Sequence, residues 1–122
     1  MSKAAVITLT SHVARGGVGG RAVVFALERL GFPVWSAPTV TLAWHPGHGR
    51  ATRFSPAPAD FAALAADLAH APTLGEVGAV LSGYLGDASQ ASAVAGLVAA
   101  VRSRHDGARY LCDPVIGDHG GL

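Results

Sequence analysis

Cysteine is nearly absent from this 122-residue sequence, in which Cys112 stands alone. A single thiol cannot form a disulfide within the chain, so a reducing compartment is the default expectation. Charged residues are scarce at 14%, and the formal net charge of +1 gives neither a basic surface for nucleic acid nor an acidic tail. No apolar run approaches the roughly 18 residues of a membrane-spanning helix, and no signal-peptide pattern is found. We therefore expect a cytoplasmic protein without nucleic-acid or membrane partners.

Apolar residues, in contrast, make up 50% of the sequence, which favours strands and helices that are buried on both sides. The length of residues 1–122 fits a single domain with a real core, and no internal repeat is found. The segment "AAVITLT", from Ala4 to Thr10, is short and rich in β-branched residues and predicts a buried strand. "FPVWSAPTVTLA" predicts two extended pieces separated by a kink at Pro38, and Val77–Leu81 and "ARYLC" predict two more strands.

Three segments between these strands have the apolar spacing of amphipathic helices. In "RAVVFALERLG", Gly31 stands where a C-terminal cap belongs. The third helix, "ASQASAVAGLVAAVRSRH", follows Asp87, which together with Gln90 indicates a capping-box variant. For the second helix, "ADFAALAADLAHA", the predicted buried face consists of Phe61, Leu64 and Leu68.

The alternation of strands and helices predicts a parallel sheet with helices on both faces, a three-layer αβα fold of the Rossmann-like kind. "WHPGHGRATRFSPAP", dense in Gly, Pro, His and Arg, is predicted to be a loop or a small flap. Ligands of open parallel sheets gather outside the carboxyl ends of the strands. The predicted strand ends bring together Ser11 and His12, Trp44 to His48, Ser82 to Tyr84, and Asp113 to Asp118.

Each of these groups has more than one interpretation. The glycines of "RGGVGG" fit either a tight strand-to-helix turn or a close approach of backbone to a ligand, but the loop lacks the Lys-Ser/Thr of a P-loop and the spacing of a dinucleotide fingerprint. His45 and His48 lack further ligands at metal-site spacing, so a ligand-bonding or solvated histidine is favoured over zinc. Tyr84 is either a core aromatic or a ligand contact. Asp113 and Asp118 suit Mg²⁺ beside phosphates, or a simple Asx turn.

Four stretches taken together resemble the pyridoxal kinases of the ribokinase-like superfamily: "TSHVARGGVGGRAVVFALERLGFPVW", "TVTLAWHPGHG", "VLSGYLG" and "YLCDPVIGDHGGL". The resemblance runs from near Ile7 to Leu122 with the order and spacing of the motifs kept. It implies a ribokinase-like fold and transfer of the ATP γ-phosphate to the 5′-hydroxyl of pyridoxal, pyridoxine or pyridoxamine. It also implies Mg²⁺, a monovalent cation such as K⁺, and a homodimer.

Carried over by position, the resemblance gives expected roles to individual residues. Ser11 would hydrogen-bond the pyridine ring, and Asp113 and Asp118 would lie toward the metal and the ATP phosphates. The remaining vitamer-binding positions are Val18, Val40, Leu42, His45 and Tyr84.

The sequence departs from the family pattern in two ways. In the flap, "AWHP" stands where the family commonly has "SNHT", which introduces Trp44 and Pro46, and Gly20 stands where the family often has Asn. In addition, the GxGD segment with the general base belongs to a C-terminal half of the family's length that these residues do not include. We therefore expect an N-terminal part of one kinase domain that binds substrate, carries no general base and is inactive alone. The alternatives are a hydroxymethylpyrimidine kinase of the same superfamily, a non-catalytic small-ligand-binding α/β module, and an interaction fragment.

Overall fold

The computed structural model describes residues 3–115. Within this range the chain forms one sheet of five strands with three α-helices. In chain order the elements are β1 (Ala5–Arg15), α1 (Gly20–Arg29), β2 (Val34–Trp44), β3 (Arg53–Phe54), α2 (Pro58–Ala69), β4 (Val77–Ser82), α3 (Gln90–Arg104) and β5 (Arg109–Cys112). None of the helices described in that range has both the length and the hydropathy needed to cross a bilayer.

The strand order is β3-β2-β1-β4-β5, and all neighbours are parallel except β2 and β3. The α/β prediction is confirmed, but the sheet is mixed rather than purely parallel. The difference comes from the predicted flap, in which Arg53 and Phe54 fold back to pair with Leu42 and Thr41. From β1 the chain moves first to β2 and then, by way of α2, to β4 on the other side of β1. This reversal opens a crevice at the carboxyl ends of β1 and β4, where such sheets bind ligands.

The first strand is longer than the sequence pattern predicts. We expected it to end at Thr10, but β1 continues to Arg15 because His12, Val13 and Arg15 pair with the second half of β2. Ser11 and His12 therefore lie inside the strand and not beyond its end. The sequence pattern did not predict this extension, because the polar residues Ser11 and His12 interrupt the apolar run. Such a pattern indicates which strand residues are buried, not which residues pair with a neighbouring strand.

The predicted kink at Pro38 is a bulge in one continuous strand. Thr10 pairs with Pro38 and His12 pairs with Thr41, so β2 advances three residues while β1 advances two. Proline lacks the N–H that a regular ladder would use, and a bulge is one of the places where sheets tolerate it. The extra residue changes the direction of the side chains that follow Pro38.

The two faces of the sheet bury different residues. Ile7, Leu9 and Val80 belong to an apolar core cluster with Phe61 of α2 and Leu97 of α3. On the opposite face α1 packs against β1 and β2. Successive side chains of a strand point to opposite faces, so Thr8 and Thr10, both buried, lie on the α1 side. The layers are therefore helix, sheet and helix, as the strand–helix alternation predicts.

The helix ends follow the sequence signals in part. Gly31 caps α1 at φ +92°, with its N–H donating to Glu28 and the Phe32 N–H to Leu27, a Schellman motif that confirms the prediction. Asp87 and Gln90 do not form a reciprocal capping box. The Asp87 carboxylate accepts from the Ser89 N–H at 2.8 Å, while the Gln90 side chain turns toward the loop before α3.

The predicted buried face of α2 is partly wrong. Phe61 and Ala65 are buried and Leu68 is half-buried, whereas Leu64 is 42% exposed. Helix α2 packs against α3 with the face that carries Phe61 and Ala65, so an alanine takes the place that we expected Leu64 to fill. An alanine-rich helix leaves its apolar face poorly defined in the sequence.

Candidate functional site

A cavity of about 530 Å³ lies at the carboxyl ends of the central strands. Its volume falls in the range of small-molecule sites. Part of the cavity wall is apolar and consists of Val18, Leu42 and Leu81. The polar residues of the wall come from the ends of β1, β2, β4 and β5. A second hollow of about 740 Å³ lies between α1 and the sheet, where His12 of β1 and Ser36 of β2 line it together with residues of α1. We choose the smaller cavity as the candidate site, because side chains from four strands and the flap converge there.

Five of the six vitamer positions that the family resemblance suggested line this one cavity. They are Ser11, Val18, Leu42, His45 and Tyr84. Val40, the sixth, is 1% exposed and does not line it. Asp113 lies at the cavity wall, whereas Asp118 falls outside the described residues.

Two glycines hold Ser11 in place from the α1 side. Gly19 has φ +58°, and a Cβ added there would lie 2.6 Å from the Ser11 Oγ and 2.8 Å from the Ser11 carbonyl oxygen. A Cβ on Gly20 would lie 3.0 Å from the same carbonyl. Gly19 and Gly20 therefore approach β1 as a tight turn requires, whereas Gly17 has no heavy atom within 4 Å of an added Cβ. Gly19 also lines the cavity, so the close approach of backbone to a ligand stays a second interpretation of "RGGVGG". The same contacts account for glycine at position 20.

The flap presents His45 in a defined tautomer. The Gly47 N–H donates to His45 Nδ1 at 2.9 Å, so the neutral imidazole carries its proton on Nε2. Pro46 occupies the first position of the short 3₁₀ turn Pro46–His48, where a missing N–H costs nothing. Trp44 donates from Nε1 to the Gly49 carbonyl at 3.3 Å and closes the turn from the other side. Trp44 and Pro46, which depart from the family pattern in the flap, thus stabilise the turn that holds His45.

The loop that carries Tyr84 packs closely against β1. Gly83 donates its N–H to the Leu9 carbonyl at 2.9 Å. A Cβ on Gly83 would meet the Thr10 hydroxyl and would lie 2.9 Å from the Thr10 Cβ. The Tyr84 side chain, half-buried, lines the cavity next to this contact.

Arg53 is a cavity residue that the sequence interpretation missed. It lies on β3, lines the cavity, and donates to the Gly86 carbonyl and to the Ser55 hydroxyl. No motif indicated it, because its position depends on the antiparallel return of the flap. The "RATRF" stretch, with two cations beside an aromatic residue, was the only signal available in the sequence.

Two side chains near the strand ends have shifted pKa values. Hydrogen bonds from Ser89 lower the pKa of the exposed Asp87 carboxyl, and the charge of Arg53 acts in the same direction. Burial raises the pKa of Tyr110, partly offset by its hydrogen bond of 2.6 Å with the Ser82 hydroxyl. Asp87 is therefore ionised at neutral pH, and Tyr110 is protonated there.

Asp113 offers one carboxylate to the cavity, with its backbone fixed by an N–H bond of 2.8 Å to the Ser82 carbonyl. Along residues 3–115 no group of three or more His, Cys, Asp or Glu side chains could enclose a metal by itself. One carboxylate oxygen fits a Mg²⁺ ion that keeps waters and takes further ligands from phosphate. It does not fit an ion held by protein alone.

Comparison with known proteins gives relatives over nearly the whole chain. A curated pyridoxal kinase of Rubrobacter xylanophilus is 40% identical over 115 residues, which are 94% of this chain and 40% of that protein. The pyridoxal kinase of Deinococcus radiodurans is 40% identical over 115 residues, or 39% of its length. No family model matches the sequence.

Solved structures give the same result for the fold. A pyridoxal kinase from Leishmania donovani, in complex with ADP and pyridoxamine, superposes with a TM-score of 0.88 at 31% identity, covering 98% of this chain and 42% of that one. The chain thus spans about 40% of the length of the curated relatives that it matches. Over the part of their length that it spans, this chain is a relative of the pyridoxal kinases and has their ribokinase-like fold.

Proposed function

We propose that this chain carries the vitamer site of a pyridoxal kinase, which transfers the ATP γ-phosphate to the 5′-hydroxyl of pyridoxal, pyridoxine or pyridoxamine. The observation that carries the proposal is the convergence of Ser11, His45, Tyr84 and Asp113 on one cavity. The 40% identity to curated pyridoxal kinases supports it. So does the Leishmania structure, whose kinase is described with ADP and pyridoxamine.

The cavity chemistry suits a flat heteroaromatic ring. Val18 and Leu42 give apolar contact area, and the Ser11 hydroxyl can donate to a pyridine nitrogen or accept from its protonated form. His45 can donate from Nε2, because its Nδ1 is already occupied. Tyr84 adds an aromatic surface with a polar end. These residues bind and orient the ring, and we assign none of them as the general base.

The phosphate side of the site lies toward Asp113. We propose that Asp113 and Asp118 face a Mg²⁺ ion bound with ATP, together with a monovalent cation such as K⁺. Bound there, Mg²⁺ neutralises phosphate charge and orients the transferring group. Asp113 contributes a hard oxygen ligand, and its tethered backbone keeps that oxygen at the cavity wall.

The wider setting of the proposed enzyme follows from the relatives. We propose that the chain corresponds to the N-terminal part of one kinase domain, since it spans about 40% of their length. The general base is then expected outside these 122 residues, which alone bind vitamer without transferring phosphate. We further propose a homodimer in the cytoplasm, where a lone Cys112 stays reduced.

Pyridoxal binding tests the proposal directly. In the protein at its natural length, whether that is these 122 residues or a longer chain containing them, pyridoxal should raise the thermal unfolding midpoint, because it binds only the folded state. Isothermal titration should give saturable binding, and hydroxymethylpyrimidine should bind more weakly. Equal or tighter binding of the pyrimidine would favour the sister kinase, and no binding of either would end the proposal.

The substitution Ser11→Ala should weaken pyridoxal binding by roughly tenfold, the usual size of one lost hydrogen bond in a buried site. The matched control is Ser36→Ala on the neighbouring strand, an exposed serine that lines the other hollow. The control should bind as the wild type does. Equal dissociation constants for both variants would remove Ser11 from the site.

A further inference from the structure

Two fully buried polar side chains lie behind the loop that carries Tyr84. Thr39 of β2 is 0% exposed and Gln90, the first residue of α3, is 1% exposed. Burying a polar group is unfavourable unless it is hydrogen-bonded. Both are bonded, and their partners belong to the loop or to each other.

Two hydrogen bonds join these side chains to the loop, and a third joins Gln90 to Thr39. The Thr39 hydroxyl donates to the Tyr84 carbonyl at 2.6 Å, and the Gln90 Oε1 accepts from the Gly86 N–H at 2.8 Å. The Gln90 Nε2 donates to the Thr39 carbonyl at 3.0 Å. Both ends of the segment from Tyr84 to Gly86 are therefore fastened to β2, one of them through α3.

The bulge in β2 and the glycine of the loop make this contact possible. Thr39 follows Pro38 in the bulge, which turns its side chain toward the loop. A Cβ on Gly86 would lie 2.7 Å from the Thr39 carbonyl oxygen and 2.9 Å from the Ser55 Oγ. The loop therefore lies directly on β2, with no room for a side chain between them.

Neither Thr39 nor Gln90 lines the cavity, whereas Tyr84 and the neighbouring Gly83 do. We propose that Thr39 and Gln90 are positioning residues for the vitamer site, which act on the substrate only through the placement of Tyr84. This inference rests on the proposed function. Its physical basis is that a binding side chain on a loop needs supporting bonds, since a displacement of about 1 Å is enough to lose much of its interaction.

Comparing Thr39→Val with Thr39→Ser distinguishes an effect on the position of Tyr84 from an effect on the stability of the fold. Valine keeps the shape and loses the hydroxyl, while serine keeps the hydroxyl and loses a buried methyl group. Both should lower the unfolding midpoint. Only Thr39→Val should raise the dissociation constant for pyridoxal, by roughly tenfold, while Thr39→Ser stays within about twofold of the wild type. These constants are measured by titration well below the unfolding midpoint, in the protein at its natural length.

A double-mutant cycle tests whether Thr39 acts through Tyr84. In a Tyr84→Ala background, Thr39→Val should add almost nothing to the loss of affinity, because the side chain that it positions is gone. Fully additive losses would contradict the inference. If Thr39→Val does not fold, Gln90→Met replaces it in the cycle, with the same expected result.

The outcomes distinguish this inference from the function on which it rests. If the wild-type protein does not bind pyridoxal, both the proposed function and the positioning role are contradicted. If the wild-type protein binds pyridoxal and the dissociation constants of Thr39→Val and Thr39→Ser are equal, only the positioning role is contradicted. The proposed function is then unaffected.

Discussion

Replacing Gly19 by alanine should reduce pyridoxal affinity by about 100-fold, the size of effect expected when a binding group is displaced by about 1 Å. The new Cβ would lie 2.6 Å from the Ser11 Oγ and 2.8 Å from the Ser11 carbonyl oxygen. Rotating the serine side chain relieves only the first contact, so the β1 backbone must also move. With φ +58° and ψ −133°, Gly19 has a backbone conformation that is essentially restricted to glycine, so a side chain there adds roughly 1–3 kcal/mol of strain.

The same loop supplies the control. Gly17 has no heavy atom within 4 Å of an added Cβ, and its φ is not positive. Gly17→Ala should therefore bind pyridoxal with the wild-type constant. Calorimetric titration of both variants, with a thermal unfolding curve for each, makes the comparison. Wild-type affinity in Gly19→Ala would show that the position of Ser11 does not matter for binding.

Replacing Phe61 by alanine should lower the free energy of unfolding by about 3–5 kcal/mol. Phe61 is 1% exposed and is the largest fully buried side chain described, in contact with a core that joins α2, α3 and the sheet. Its removal loses transfer free energy and leaves a cavity, because strands on one side and a helix on the other cannot close together. Denaturant unfolding at neutral pH measures the change.

Leu64 provides the matched control on the same helix. It is 42% exposed, so Leu64→Ala should cost less than about 1 kcal/mol, as most surface substitutions do. The sequence pattern placed both residues on one buried face, and the structure separates them. Similar losses for the two variants would mean that α2 packs with the face that the sequence predicted.

Patterns that stay within one element could be predicted from the sequence. The cap at Gly31 depends on a local left-handed turn, and the strand segments Ala4 to Thr10 and Val77–Leu81 were found because burial on both sides gives continuous apolar runs. The strand-end rule also brought Ser11, His45, Tyr84 and Asp113 to one edge before any distance was known. The cap and the strand segments depend on residues close together in the chain, and the strand-end rule needs only the direction of the strands.

Contacts between particular residues of distant segments could not be predicted. Arg53 lines the cavity only because the flap returns antiparallel to β2. Gln90, expected to cap its own helix, instead bonds to Gly86 and Thr39. Nothing in the local sequence of Gln90 indicates a partner 51 positions away, and nothing around Arg53 indicates Gly86, 33 positions away.

The sequence by itself determined the alternation of strands and helices, the edge at which the polar groups gather, and the resemblance that the relatives bear out. Only the tertiary structure decided that the predicted kink at Pro38 is a bulge in one continuous strand, which face α2 buries, and which buried groups hold the Tyr84 loop. The physical reason is that helix caps and apolar periods come from neighbouring residues. Bulge register, side-chain packing and the pairing of buried hydrogen-bonding groups depend on contacts between segments that the chain order does not reveal.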